Sequence, residues 1–526
     1  MTRVVLLGSP PGPIGSPPPA VVPPTAITLD GLPGAPTAYG RLLGQAATLD
    51  PRPVTLARPA DAAAYEEHPE TTVVACVDLA ADLRALAELA SSADDNLLIL
   101  PADALVHDEL LYQIKTTKRG ALALILRDET AEADFDPYDQ DEAVPEIGDG
   151  VLEGLPVRAG VRGGRVISAG SAYHRVTRPN AALLGPLHLN QRHLATVAET
   201  ARELAEMAHL FGPEDDVTEL LVLGLVRRGV SVGVRGRDDL FFQRLHGPAD
   251  AADAVRAMTA FNEDRARLDN AVKGADGFFT TYFVSTYSRF IARWAARRGL
   301  TPNQVTLISI FLGLCAAAAF ATGGRVGYVA GGALIYFAFV FDCVDGQLAR
   351  YARKFGVLGA WLDATFDRFK EYAVYVGLAV GAAVSGQFGD GQGVWDLALT
   401  AIALQTVKHL LDFSFGAANR RKPPVPLPTL ELSHADDAPL MAALAHRRDA
   451  NSRGIRGLIR FWSRAGRFRA VHWARKMIVF PIGERFAAIA IVTALFDPRI
   501  TFLTLITWGA IATAYTVTGR ILRSAA

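Results

Sequence analysis

Cysteine is scarce in this sequence: Cys76, Cys315 and Cys343 are the full set among 526 residues. Their spacing suits neither a disulfide framework nor a thiolate metal site, as fits a cytosolic domain joined to a membrane domain. Net charge is nearly missing too, at −1, so no chain-wide basic surface argues for nucleic acid as a partner. The apolar run at residues 4–7 is too short for a signal peptide and soon meets prolines. Residues 1–270 are therefore expected to stay in the cytoplasm. At this length two or more domains are expected.

The small net charge is a cancellation. Residues 1–270 hold 24 Lys/Arg against 39 Asp/Glu, whereas residues 271–526 hold 29 against 15. The basic half alternates its charges with apolar stretches, which points to anionic lipid and phosphate rather than nucleic acid. Six of those stretches are long enough to cross about 30 Å of hydrocarbon: 302–322, 326–346, 357–385, 394–418, 477–495 and 500–521. The link 419–476 carries 13 Lys/Arg against 4 Asp/Glu and is expected inside, while 386–393 carries no Lys or Arg and is expected outside. Arg325 and Arg499 are exceptions to that bias. Residues 277–298 mix aromatics with Arg289, Arg293, Arg297 and Arg298, the pattern of an interfacial amphipathic helix. A second such helix is expected around Ile455, Leu458, Ile459 and Trp462, after a stiff proline-rich linker at 423–428.

Four carboxylates interrupt this apolar half: Asp342, Asp345, Asp363 and Asp367. A charge at bilayer depth costs about 2.5–3.5 kcal/mol on insertion scales, so a cation or a water-filled cavity must compensate them. Asp342 and Asp345 are three apart and Asp363 and Asp367 four apart, so each pair projects from one helix face. A polar break over Gly346 and 350–356 would let the two pairs converge. Hard oxygen ligands of this kind suit Mg²⁺ or Mn²⁺ together with substrate phosphates.

The segment reads D-x2-D-G-x2-A-R-x8-G-x3-D-x3-D, from Asp342 through Gly346, Ala349, Arg350 and Gly359 to Asp367. It resembles the signature of the CDP-alcohol phosphotransferase family, with every specified position filled. Thr301-Pro-Asn303-Gln-Val-Thr306 is similar to that family's lead-in to its first membrane helix. The resemblance implies a membrane enzyme, commonly homodimeric, that uses two divalent ions. A hydroxyl acceptor attacks a CDP-linked donor and CMP leaves. Carried over, Asp342, Asp345 and Asp363 become metal ligands, and Asp367 either a ligand of the second ion or, preferably, the general base. Asn303, Thr306, Gly346, Ala349, Arg350 and Gly359 become donor-binding candidates. Arg368, next to Asp367, is similar to members that take inositol-phosphate acceptors. An anionic acceptor needs converging cations, and Lys408 and Arg485 are favoured among Lys370, Lys408, His409, Arg485 and Arg520.

In the acidic half, short apolar runs at 3–7, 72–77, 96–100 and 122–126 alternate with helix-like stretches at 80–90 and 108–116, the pattern of a parallel α/β sheet. This half resembles the nucleotidyltransferase domain that precedes the phosphotransferase in inositol-phosphate cytidylyltransferase fusions. Asp103 and Asp238 are its weak metal-site candidates. The stretch after the first strand is rich in proline and lacks Lys and Arg, although a triphosphate cradle needs backbone N–H donors; a degenerate scaffold is favoured over an active cytidylyltransferase. The expected fold is thus an α/β domain at 1–270, a linker and interfacial helix at 271–300, and an all-α six-span domain at 301–526. A bifunctional enzyme, and a non-catalytic membrane protein with a structural metal site, are the alternatives.

Overall fold

The computed structural model describes residues 2–8, 22–32, 36–127, 151–152, 155–237, 240–272, 276–386, 392–420, 426–450 and 468–525. It divides into two units: Met1–Glu263 with Pro424–Ala450, and Asp264–Pro423 with Asn451–Ala526.

The first unit is built on a nine-stranded mixed sheet. Its strands are β1 (Thr2–Leu7), β2 (Val54–Ala57), β3 (Thr72–Ala75), β4 (Asn96–Pro101), β5 (Ala121–Arg127), β6 (Ala159–Arg162), β7 (Arg165–Ala169), β8 (Ala181–Leu189) and β9 (Val232–Gly236). The spatial order is β3-β2-β1-β4-β8-β5-β9-β7-β6. The four apolar runs seen in the sequence are β1, β3, β4 and β5. An all-parallel sheet does not form, because β8 enters antiparallel between β4 and β5. All nine β8 residues are buried, so β8 lacks the alternation that marks a half-exposed strand. The helices Leu79–Ser92 and Asp108–Lys115 fall on the expected stretches.

The two units do not follow the expected bounds at 270 and 300: the first break falls after Glu263, and a later segment returns to the first unit. Segment 426–450, which the sequence suggests is part of a basic loop of the membrane half, packs into the first unit. Leu427, Leu432, Leu440 and Leu444 join its core; burying a leucine stabilises by about 1.5–3 kcal/mol.

The second unit is helical. Its elements are α1 (Ser285–Arg297), α2 (Pro302–Ala321), α3 (Arg325–Tyr351), α4 (Val357–Val384), α5 (Gln392–Arg420), α6 (Arg469–Ile478), α7 (Ile482–Leu495) and α8 (Pro498–Ala525). Among the described residues three helices are long and apolar enough to cross a membrane, or four if the pair α6 and α7 is one bent span. The expected uninterrupted span at 477–495 does not form. The chain turns by 72° between α6 and α7, and Phe480 takes a positive φ of 54° there. The amphipathic stretch before α2 is helical as expected: α1 buries Ser288, Ala292 and Ala295 and exposes Phe290 and Trp294. The second interfacial helix lies outside the described residues. Arg325, an exception to the charge bias, donates to the carbonyls of Phe496 and Leu495 at 2.9 and 3.2 Å and so satisfies the end of α7.

Close backbone approach sets α4 against α2. A Cβ on Gly381 or Gly377 would collide with the carbonyls of Phe320 and Ala317, the small-residue contact by which membrane helices pack tightly.

Candidate active site

The start of α2 is fixed locally. Thr301 is its N-cap, Pro302 occupies the first turn, and Thr301 and Gln304 form a reciprocal capping box. Asn303 and Thr306 are therefore spared the capping role and face other partners. Thr306 Oγ1 donates to Asp345 Oδ2 at 2.6 Å.

α3 runs without interruption through Gly346 to Tyr351, so the expected break at Gly346 is absent. The chain turns over 352–356, where Arg353 has a φ of 54°. Helical geometry through the motif then puts Asp342, Asp345 and Ala349 on one face of α3, and Asp363, Asp367 and Lys370 on one face of α4.

These two faces meet. Ligand oxygens of Asp342, Asp345 and Asp363 lie within 4.8 Å of one another. Two carboxylates at that separation repel by roughly 3.5 kcal/mol at an effective dielectric near 20. Asp367 stands outside this triad. Its Oδ1 is 2.9 Å from Lys370 Nζ, an ion pair by distance that lacks hydrogen-bond alignment. Lys370 is fully buried, and its ammonium also meets Asp342 Oδ1 at 2.5 Å and Ser309 Oγ at 2.8 Å. Lys370 and the nearby Arg350 bring two positive charges to four carboxylates. The charge balance and the all-oxygen donor set fit a divalent cation.

Beside the triad opens a pocket of about 510 Å³ lined by Asn303, Thr306, Asp345, Gly346, Ala349, Arg350, Gly359 and Asp363, with Lys354 at its wall. All six donor-binding candidates from the sequence line it. Gly359 is there for space: a Cβ would lie 2.7 Å from Asn303 Oδ1. Arg350 Nε donates to the carbonyl of Ala271, which holds its side chain at the pocket edge.

The acceptor candidates fall differently. Lys408 and Arg485 are buried and converge, Lys408 Nζ and Arg485 Nη1 donating to the Phe480 carbonyl at 3.1 and 2.8 Å. Arg485 also grips Glu371 with two bonds, at 2.8 and 3.1 Å. Arg520 pairs with Asp412, one turn beyond Lys408. Arg368 is exposed and donates to the carbonyl of Ala364.

Two residues matter more than the sequence suggests. Lys370, one acceptor candidate among several, is the ammonium that joins α3 to α4. Gly313 gives that buried lysine its space, since a Cβ on it would lie 2.9 Å from Lys370 Cγ. The spacing of Lys370 three residues after Asp367 is the signal that could have found it; Gly313 has none.

Residues 299–426 match the family model described as CDP-alcohol phosphatidyltransferase. The matched stretch is about a quarter of the chain and falls almost wholly in the second unit. Ninety-four residues of the chain are 36% identical to the archaetidylinositol phosphate synthase of Pyrococcus horikoshii, covering 18% of this chain and 48% of that protein. Over 117 residues the chain is 31% identical to the bifunctional IPC transferase and DIPP synthase of Aquifex aeolicus, covering 22% and 26%. The matches therefore span about half or less of those relatives. A structure of the inositol-1-phosphate CTP transferase from T. maritima aligns at a TM-score of 0.31 and 13% identity, over 50% of this chain and 96% of that one.

Outside the matched residues, the first unit places its own candidate Asp103 differently. Arg244 binds both oxygens of Asp103 through Nε, at 3.0 and 3.1 Å, and adds Nη2 to Oδ2 at 2.9 Å. Its Nη1 reaches Asp216 at 3.1 Å. The arginine thus occupies the side of Asp103 that a metal ion would need, and the two carboxylates push its pKa further up against the opposing effect of burial. Asp238 lies outside the described residues.

Proposed function

We propose that this chain is an integral-membrane phosphotransferase that moves a substituted phosphate from a CDP-linked donor to a hydroxyl acceptor and releases CMP. The observation that carries the reading is the coincidence of the triad Asp342, Asp345 and Asp363 with one pocket wall made by Asn303, Thr306, Gly346, Ala349, Arg350 and Gly359. Asp342, Asp345 and Asp363 would hold two divalent ions, Mg²⁺ or Mn²⁺, whose charge neutralises the donor diphosphate and the leaving CMP.

The chain's own residues do the rest. Thr306 holds Asp345 in one orientation, and Lys370 sets the spacing of Asp342 and Asp367. The open face at Gly346 and Gly359 admits the nucleotide, and Arg350 meets the donor phosphate. Asp367 takes the acceptor's hydroxyl proton. The new bond joins the acceptor oxygen to the distal phosphorus, and the bond from that phosphorus to the CMP oxygen breaks. Holding both reactants in line adds to the acceleration.

The acceptor is an anionic alcohol of the inositol-phosphate kind. Arg368, exposed beside Asp367, and the archaetidylinositol phosphate synthase relative support this reading. Lys408 and Arg485, by contrast, are already engaged by the Phe480 carbonyl and, for Arg485, by Glu371. The active site lies at the cytoplasmic face of the bilayer, in keeping with the charge bias of the loops, and the enzyme works as a homodimer. The bifunctional alternative agrees with the Aquifex aeolicus relative, while the Arg244 pairing of Asp103 favours a scaffold role for the α/β unit.

The test is CMP release by purified protein in lipid, screened over CDP-diacylglycerol and CDP-inositol with inositol phosphate, glycerol phosphate and inositol as acceptors. Metal-dependent CMP formation with an inositol-phosphate acceptor is expected. No CMP from any pair would overturn the assignment and favour a structural metal site.

A further inference from the structure

Segment 426–450 follows α5 in sequence and comes before α6, yet its backbone is gripped by side chains of the α/β unit. Arg227, 3% exposed, donates to three backbone carbonyls of the segment. These are Glu431 at 3.0 Å, His434 at 2.6 Å and Asp436 at 3.2 Å. His174, also buried, reaches the Leu432 carbonyl through Nε2 at 2.7 Å. Tyr173 donates its hydroxyl to the Ser433 carbonyl at 2.9 Å. The Thr177 amide meets Asp437 Oδ1 at 2.9 Å, and the Thr177 hydroxyl donates to the same oxygen.

Backbone pairing continues on both sides. Leu430 N donates to the Arg227 carbonyl at 2.8 Å, and Arg175 N to the Ala435 carbonyl at 2.8 Å. Gly229 has a φ of 81°, and a Cβ there would sit 3.0 Å from the Leu427 carbonyl, so glycine permits the approach. A loop that merely bridged two helices would leave its carbonyls to water. Here a buried guanidinium and a buried imidazole are spent on them, and both would lose those partners without the segment.

We propose that the α/β unit is a peptide-binding module whose ligand is segment 426–450, so that its role in the molecule is to hold the loop between α5 and α6. This goes beyond the phosphotransferase reading and does not depend on it. It also gives the unit a use in which Asp103 need not bind metal.

The test uses the full chain in lipid nanodiscs, with protease sites inserted at 421–423 and 451–453. After cleavage of both sites, the freed segment is expected to stay with the protein through gel filtration. Arg227→Ala should raise its release at least tenfold. The pair Tyr173→Phe and Thr177→Val, which removes two side-chain contacts and leaves the core leucines in place, should raise it severalfold. Release of the segment from the unsubstituted protein would overturn the proposal, as would equal retention in all three proteins. CMP formation, followed on the same uncut preparations, reports separately on the phosphotransferase reading.

Discussion

Each unit of this protein gathers acidic side chains at one place, and the two clusters are compensated in opposite ways. In the α/β unit a single arginine, Arg244, meets both Asp103 and Asp216 and binds both oxygens of Asp103. In the helical unit carboxylates outnumber the cations beside them, and two of the triad Asp342, Asp345 and Asp363, namely Asp345 and Asp363, border an open pocket. The difference teaches that a carboxylate's place in the fold says less than its charge balance. A satisfied cluster is structure, whereas a cluster with excess negative charge that faces a cavity is a place for a cation and a substrate.

The largest expected effect comes from removing one member of the open cluster. Asp345→Asn or Asp363→Asn should lower CMP formation by about a thousandfold or more, the scale of losing a centre of transition-state charge stabilisation. A rate within about tenfold of the unsubstituted protein would break the comparison. Next comes the pocket wall. Gly359→Ala sets a methyl group 2.7 Å from Asn303 Oδ1. It should reduce kcat/KM about 10- to 100-fold with the fold intact, as a small misplacement of a bound group does. Steady-state kinetics with the CDP donor varied would show it.

The closed cluster should behave in the opposite way. Asp103→Asn is expected to leave CMP formation within about twofold, while loosening the α/β unit by about 1–3 kcal/mol because Arg244 loses a charged partner. Thermal unfolding and CMP release on one preparation check both halves. Metal-dependent pyrophosphate release from CTP, abolished by Asp103→Asn, would instead reveal a second working site.

The smallest effect concerns protonation in the same unit. His188 is fully buried with neither ring nitrogen hydrogen-bonded, and burial lowers its pKa from 6.5 to about 4. Folding therefore favours the neutral ring. Its contribution is intact above about pH 6.5 and is lost as the pH falls towards 4, with a slope of at most about 1.4 kcal/mol per pH unit. His188→Leu should flatten part of the acid sensitivity of the α/β unit, measured by limited proteolysis of the full chain at about pH 7 and about pH 5. An unchanged profile would remove His188 from the account.

Much of the helical unit's candidate site is legible in the order and spacing of its residues. The fixed gaps from Asp342 to Asp367 fold onto two helix faces because helical periodicity turns spacing into direction. For the same reason the six donor-binding candidates reach one pocket. Composition puts the interruption between α3 and α4 too early, since Gly346 in a helix interior costs only about 1 kcal/mol and packing overrides it. The engagement of Asp103 is hidden because Arg244 is distant in sequence and reaches it through the pairing of Ala104–Val106 with Phe242–Arg244. Segment 426–450 is hidden for a related reason. Its flanks are rich in Lys and Arg, while the four leucines that seat it in the α/β core are too widely spaced to mark a domain element. Long-range pairing leaves no local periodicity to read.

The comparison of the two clusters is tested most directly by Mn²⁺ binding to the full chain in lipid, measured by electron paramagnetic resonance. Binding is predicted in the unsubstituted protein and in Asp103→Asn, and its loss in Asp345→Asn. Binding that survives in Asp345→Asn, or disappears in Asp103→Asn, would contradict the account.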